Sequence, residues 1–113
     1  TDNVATVSKA VIGNIIRGEI GFDGFLMTDD IGMGALSGDM AKRCDAALSA
    51  GCDTILHCSG DYGEMQCVGA AVPPLGNAAQ ERWRRAAAQL APAAGLVGAA
   101  ELARQLAEVI VSA

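Results

Sequence analysis

Two adjacent carboxylates are the residues of this chain best suited to chemistry. Asp29 and Asp30 follow a short apolar run, Phe25 to Met27, and precede a loop that contains Gly32 and Gly34. A brief apolar run bounded by turn residues is typical of a buried parallel strand. Unpaired carboxylates are costly to bury, so a pair at a strand end indicates a function. In barrels of alternating strands and helices, the carboxyl ends of the strands carry the chemistry.

The two carboxylates are expected to differ in role, because side chains alternate along a strand. If Asp29 faces the site, Asp30 faces away and accepts hydrogen bonds from loop amides, with a direct substrate contact as the alternative. On the residues alone, Asp29 is either a nucleophile or a strand-end residue that caps the loop. A metal site on the pair is disfavoured, because adjacent carboxylates face apart and no third ligand is spaced nearby.

The surrounding sequence predicts alternating helices and strands. Apolar residues at helical spacing, with Thr6 or Ser8 as a cap, predict a first helix over residues 8–19. Asp39 is predicted to cap a helix that Gly51 ends, with Met40, Cys44, Ala47 and Leu48 as its buried stripe. The remaining predictions are a strand at 53–58 and helices at 61–71, 77–90 and 99–111. Short connections in this order predict parallel strands with right-handed crossovers.

Other charged residues are predicted to have structural roles. Asp23 is expected to be a turn residue whose side chain accepts from nearby backbone amides. The only histidine, His57, has a side chain suited to acid–base catalysis. It lies in the second strand, where we expect a structural role with one ring nitrogen bonded. The cluster Arg82, Arg84 and Arg85 is expected to be a solvated helix face.

Two segments resemble glycoside hydrolase family 3, most closely its bacterial β-N-acetylhexosaminidases of the NagZ type. The first runs IRGEIGFDG at residues 16–24 and continues as TDDIGMGA at residues 28–35. The second, AGCDTILHC at residues 50–58, resembles the segment that follows in the same enzymes. Gly32 departs from the serine common at its position, which removes a hydroxyl and loosens the loop but leaves the implied nucleophile unchanged.

The resemblance implies a fold, an activity and site residues. The fold would be α/β: the carboxyl-terminal βα units of a TIM (β/α)8 barrel plus C-terminal helices, with residues 1–113 forming the last part of one glycosidase domain. Asp29 would be the nucleophile, and Met33 and Asp30 would lie at the substrate. Met33 as a packed core residue is the alternative. A His–Asp acid/base pair and most sugar-binding residues would lie on earlier βα units, so this part alone would be inactive.

The implied function is that of a retaining exo-β-N-acetylglucosaminidase. It would release N-acetylglucosamine from muropeptide fragments in bacterial peptidoglycan recycling, without a cofactor, and its partners would be that saccharide and the rest of the barrel. A family 3 β-glucosidase is a weaker alternative, because those relatives usually show SDW in place of TDD. A non-catalytic structural or binding α/β module, which keeps this part of the barrel without its chemistry, is the alternative from another class. A small, freely folding α/β domain with a flat sheet is the alternative fold.

Composition limits the other function classes. The chain has 113 residues, 51% of them hydrophobic, and a net charge of −5. The length suits one small domain and is short of the roughly 250 residues of a complete barrel, so the chain is expected to be part of a longer enzyme. An acidic balance disfavours nucleic acid and anionic membranes as partners. The four cysteines, Cys44, Cys52, Cys58 and Cys67, lack CxxC spacing, which disfavours zinc and predicts buried, reduced thiols in a cytoplasmic protein.

Overall fold

The predicted order of helices and strands is confirmed. The computed structural model describes residues 4–90 and 98–111, and the elements below are those of these residues. A 3-10 turn at Ala5–Val7 leads into a helix at Ala10–Glu19. The strands are β1, Met27–Asp30, and β2, Thr54–Leu56. The helices that follow are α1, Met40–Ala50; α2, Tyr62–Ala71; α3, Asn77–Ala88; and α4, Ala99–Val111.

The first helix is wound as a π-helix, which the sequence pattern did not predict. The Ile20 amide donates to the Ile15 carbonyl, an i→i+5 bond of 2.8 Å. A side chain at position 18 would lie only 3.3 Å from the Gly13 carbonyl oxygen, so Gly18 permits this winding. Ser8 caps the first turn as predicted, since its Oγ accepts from the Val11 amide at 3.3 Å.

Helix α1 begins and ends as predicted. Asp39 accepts from the Lys42 amide at 2.9 Å, and Gly51 adopts a φ of 119°, which suits glycine. A side chain at position 51 would lie 3.0 Å from Ile12 Cγ2, so the glycine also allows the π-helix to pack against the end of α1. Cys44, Ala47 and Ala50 are the buried face of the helix. Met40 packs against this core from a partly buried position, and Leu48 is half-buried.

The two strands are parallel, as predicted, but β1 lies further along the chain than expected. It comprises residues 27–30, so the two carboxylates end the strand instead of following it. Met27 pairs with Thr54 and Asp30 with Leu56, which leaves one extra residue in β1 between the paired positions. The Thr28 hydroxyl fills this irregularity by accepting from the Leu56 amide at 2.9 Å. Irregularities of this kind are common beside active sites, where they re-aim a side chain.

Two small apolar clusters hold these elements together. Ile31, Leu36, Cys44 and Ala47 form the first, beneath the loop that follows β1, and Ile12, Ala50 and Cys52 form the second. All four cysteines are free. The prediction of buried thiols is correct for Cys44 and Cys52 and wrong for Cys58 and Cys67, which are exposed.

The later helices agree with the sequence apart from their ends. Helix α2 begins after Asp61, whose carboxylate accepts from the Glu64 amide at 2.8 Å, and ends before the prolines at 73 and 74. Helix α3 ends at Ala88, two residues earlier than predicted. Leu102 and Leu106 of α4 are exposed, and the side chains of Val109 and Ile110 lie outside the described residues.

Candidate functional site

The carboxyl ends of the two parallel strands bring a set of polar side chains to one edge. Asp29 and Asp30 end β1, while His57 and Ser59 follow β2. Parallel strands end on the same side of a sheet, so the loops after β1 and β2 are neighbours. The Cys58 amide donates to Asp30 Oδ1 at 3.1 Å and joins these two loops directly.

Asp29 lies on the open face of β1. Leu26 packs against the second apolar cluster and Thr28 is buried, so these two residues face the helices. Met27, which is 52% exposed, and Asp29, also exposed, face the other way. Asp29 helps to line a cleft of about 150 Å³, and its Oδ1 accepts from the Asp30 amide at 2.7 Å. Its carboxylate is therefore accessible, while its backbone lies in a strand.

Asp30 braces the loops, as the alternation of side chains predicted. Its Oδ1 accepts from the Gly32 amide at 3.0 Å as well as from Cys58 at 3.1 Å. A side chain at position 32 would lie 3.3 Å from Oδ1, so glycine leaves room for this carboxylate. These contacts fix the backbone immediately after Asp29. The direct substrate contact of Asp30 remains a prediction.

Met33 lies in the loop after β1, where it packs, partly buried, against the first apolar cluster. Its backbone amide donates to the Asp30 carbonyl at 3.1 Å, which closes a tight turn at the strand end. Core packing, one of the two roles considered for Met33, is thus observed. Its contact with substrate remains a prediction.

His57 follows β2 instead of lying in it, because the strand ends at Leu56, but it has the structural contacts expected of it. Its side chain is 8% exposed, and Nε2 lies 2.8 Å from Glu64 Oε2 and 3.1 Å from Ser59 Oγ. The Ser59 hydroxyl donates its single proton to Glu64 at 2.6 Å, so Nε2 of His57 is a donor in this cluster. A nucleophilic serine would instead donate to the histidine, with the acid on the opposite ring nitrogen. The cluster is therefore a brace for the loop after β2, unlike a Ser–His–acid triad.

The Glu64 carboxyl should titrate differently once Ser59 is removed. Hydrogen bonds from Ser59 first, and then from His57, lower the pKa of Glu64. Its stabilising contribution is accordingly present above the unfolded-state pKa and is lost as the pH falls through the lowered folded-state pKa. Ser59→Ala should raise the pKa of Glu64 toward the ordinary carboxyl value, so that the contribution is lost at a higher pH. A ¹³C NMR pH titration of the Glu64 carboxyl tests this, with Ser49→Ala on α1 as the control. An unchanged Glu64 titration in Ser59→Ala would contradict the assignment.

The opposite edge of the sheet holds an ion-pair network that the sequence did not predict. Asp53, just before β2, has a side chain only 6% exposed. It accepts from Arg17 at 2.9 Å and from Arg82 at 2.8 Å. The Leu26 amide, just before β1, donates to the same carboxylate at 2.8 Å.

One sequence interpretation on this edge is wrong, and another is correct only in part. Asp23 was expected to bind nearby backbone amides, but its carboxylate accepts from Arg85 at 2.8 Å and Arg82 at 3.4 Å, and these bonds lower its pKa. Of the arginines expected on a solvated helix face, Arg82 is drawn into this network with 25% of its side chain exposed, whereas Arg85 remains 48% exposed. Arg84, which pairs with Glu81 on the surface of α3, fits that interpretation. Asp23 lies 59 positions before Arg82 and 62 positions before Arg85, so local sequence patterns do not reveal these pairs.

Among the described residues, no group of three or more His, Cys, Asp or Glu side chains is placed to hold a metal ion. No helix in the described part of the chain is both long and apolar enough to cross a membrane.

Comparison with known proteins decides the family. The model of the glycosyl hydrolase family 3 N-terminal domain matches residues 1–91, which include both strands and their carboxyl-terminal loops. The chain belongs to glycosyl hydrolase family 3. The resemblance seen in the sequence motifs is thus confirmed, and α4 lies beyond the matched residues.

Several relatives within this family are named beta-hexosaminidase. The protein of Alkalilimnicola ehrlichii is 44% identical over 57 residues, which are 49% of this chain and 16% of the relative. The protein of Chromobacterium violaceum is 39% identical over 85 residues, 74% of this chain and 24% of the relative. The protein of Tolumonas auensis is 35% identical over 80 residues, which are 68% of this chain and 24% of the relative. The matched part of the chain spans about a quarter or less of the length of these relatives.

Proposed function

We propose that this chain carries the nucleophile of a retaining exo-β-N-acetylglucosaminidase. The observation that supports it is the placement of Asp29 in the matched family segment, accessible on the open face of β1 at the strand's carboxyl end. Asp30 holds the adjoining backbone through two amides, as a rigidly placed nucleophile requires. The beta-hexosaminidase relatives support an N-acetylhexosaminide as substrate.

The reaction would use Asp29 as an ionised carboxylate. One of its oxygens attacks the anomeric carbon of the sugar, while an acid elsewhere in the protein protonates the departing glycosidic oxygen. The bond to the leaving group breaks as the glycosyl ester to Asp29 forms. A water molecule, deprotonated by the same acid/base group, then attacks the anomeric carbon and regenerates the Asp29 carboxylate. Two displacements at one carbon give net retention of configuration.

The proposed setting is a TIM (β/α)8 barrel, of which this chain supplies carboxyl-terminal βα units and the remaining protein supplies the other strands. The exposed Met27 supports this setting, because a barrel would bury the face that it shares with Asp29. Ile20, 69% exposed, and Phe22, 41% exposed, are further apolar side chains available for packing. The acid/base group would come from the other strands, so residues 1–113 alone should be inactive.

We place the enzyme in peptidoglycan recycling in the bacterial cytoplasm, acting on muropeptide fragments without a cofactor, nucleic acid or membrane partner. The net charge of −5 favours a partner other than an anionic polymer or surface. A measurement of N-acetylglucosamine release from isolated muropeptides by the full-length protein tests this substrate. Release from aryl glycosides alone, with none from muropeptides, would reject it.

The catalytic proposal is tested by trapping the intermediate. The full-length protein that contains this chain is incubated with a 5-fluoro N-acetylglucosaminide, and the labelled peptide is mapped by mass spectrometry. We expect the label on Asp29 and, in a parallel NMR assay, the β-anomer as first product. A label on another residue would reject Asp29 as nucleophile, and an α-anomer as first product would reject the double-displacement mechanism.

The alternatives give different results in the same assays. A family 3 β-glucosidase would hydrolyse aryl glucosides faster than aryl N-acetylglucosaminides. A non-catalytic structural or binding module would release neither sugar and would take no label.

A further inference from the structure

Arg43 binds the loop that follows the nucleophile strand. It lies in the first turn of α1, and its half-buried side chain extends back under residues 31–38. Nε donates to the Gly38 carbonyl at 2.9 Å. Nη1 donates to the Ile31 carbonyl at 3.2 Å and the Met33 carbonyl at 3.3 Å. One guanidinium thus holds carbonyl groups at the start and at the end of the loop.

The side chains of Ile31 and Leu36 anchor the loop in the first apolar cluster, and its backbone groups are held separately. Its backbone contains two tight turns, closed by the Met33 amide on the Asp30 carbonyl at 3.1 Å and the Leu36 amide on the Met33 carbonyl at 3.2 Å. Gly32, Gly34 and Gly38 make the backbone permissive. Carbonyl groups outside a regular ladder need donors when they are shielded from water. The planar, multidentate guanidinium supplies donors to partly buried bonds at Ile31 and Met33 and to an exposed one at Gly38, which a lysine ammonium would do less well.

Arg43 complements the brace that Asp30 supplies. Asp30 fixes the first residues after the nucleophile through the Gly32 amide and ties them to the loop after β2 through Cys58. Arg43 fixes the same loop by donating to the backbone carbonyl oxygens of Ile31 and Met33. The two side chains thus hold the loop after β1 through both its amide and its carbonyl groups.

We infer that Arg43 is a positioning residue for the proposed nucleophile. It acts through the loop backbone, holding the end of β1 so that the Asp29 carboxylate stays aligned with the anomeric carbon. Displacement of a reacting group by about 1 Å can cost on the order of 100-fold in rate. Loss of the guanidinium should therefore affect kcat more than KM. This inference rests on the proposed function, since it concerns alignment for that reaction.

The test compares Arg43→Gln with Lys42→Gln in the full-length protein. Lys42 is the adjacent cation, its side chain is 78% exposed, and the partner that it has within the described part of the chain is the exposed Asp39. Lys42→Gln therefore removes one charge while the loop carbonyls keep Arg43 as their donor. With activity expressed per mole of folded protein, Arg43→Gln should lower kcat about 10- to 100-fold relative to the wild type. Its KM should stay within about threefold of the wild-type value. The rate of Asp29 labelling by the 5-fluoro glycoside should fall by a similar factor. Lys42→Gln should match the wild type in all three measurements.

Arg43→Lys carries the test if Arg43→Gln does not fold, because it retains the charge while losing the planar fork. Its kcat should fall at least about fivefold. The inference would be overturned if folded Arg43→Gln had the kcat and labelling rate of the wild type. If Arg43→Gln is unfolded, the same result for folded Arg43→Lys would overturn it. Wild-type protein labelled on a residue other than Asp29 would overturn the proposed function instead, so the two failures are distinguishable.

Discussion

Asp29→Asn in the full-length protein is expected to lower kcat by on the order of 10³-fold or more, because the attacking group itself is removed. Asparagine keeps the volume of the side chain and an oxygen that can accept from the Asp30 amide, as Asp29 does at 2.7 Å. The strand end should therefore keep its shape, and KM should change far less than kcat. Steady-state kinetics on an aryl N-acetylglucosaminide and the trapping assay together measure this, with no label expected on the variant.

Asp30→Asn is the matched control for that substitution, because it makes the same chemical change one residue later. The amide oxygen can still accept from the Gly32 and Cys58 amides that Asp30 Oδ1 binds, so the loops should remain in place. The loss in kcat should be at least tenfold smaller than for Asp29→Asn. If Asp30→Asn is the more damaging variant, or if it alone abolishes labelling, the assignment of the two carboxylates is reversed.

The sequence was sufficient to predict the carboxyl end of β1 and the bounds of α1, because the residues that determine them lie close together along the chain. Asp39 and Gly51 delimit α1 through contacts within a few residues, and the alternation along β1 correctly separated the accessible Asp29 from the bracing Asp30. The short apolar run nevertheless placed the strand about two residues early. Hydrophobicity marks which residues are buried, whereas the strand is defined by pairing with β2, which continues to Asp30.

The predictions that failed depend on contacts between distant parts of the chain. Asp23 and Arg82 each have an ordinary local explanation, as a turn residue and as a helix surface residue. Their pairing arises only because α3 packs beside the amino ends of the strands. Likewise, nothing in the neighbourhood of Arg43 shows that its side chain extends back to Ile31, 12 positions earlier. Charged side chains with several donors are the residues whose partners local periodicity reveals least.

The same distant contacts give the largest expected effect on stability, at Asp53. Its carboxylate is 6% exposed and accepts from three donors, Arg17, Leu26 and Arg82. Arg17 also donates to the Phe22 and Gly24 carbonyls at 2.8 and 2.7 Å, and so fixes the turn before β1. The carboxylate thus joins the π-helix, the starts of both strands and α3. Breaking a buried ion pair by removing one partner typically costs about 3–5 kcal/mol. Without Asp53, Arg17 keeps the Phe22 and Gly24 carbonyls, and Arg82 keeps the more distant carboxylate of Asp23.

Asp53→Ala should accordingly lower the free energy of unfolding of the full-length protein by about 3–5 kcal/mol, a large fraction of the roughly 5–15 kcal/mol that holds a domain folded. Denaturant titration and calorimetry measure the change, and amide hydrogen exchange should show α3 released first. The control is Glu81→Gln, which breaks the exposed pair with Arg84 and should change stability by less than about 1 kcal/mol. Because Asp53 lies at the edge opposite Asp29, protein that remains native should keep its kcat. A loss below about 1 kcal/mol for Asp53→Ala would show that water compensates the two arginines, and that the network contributes little to the fold.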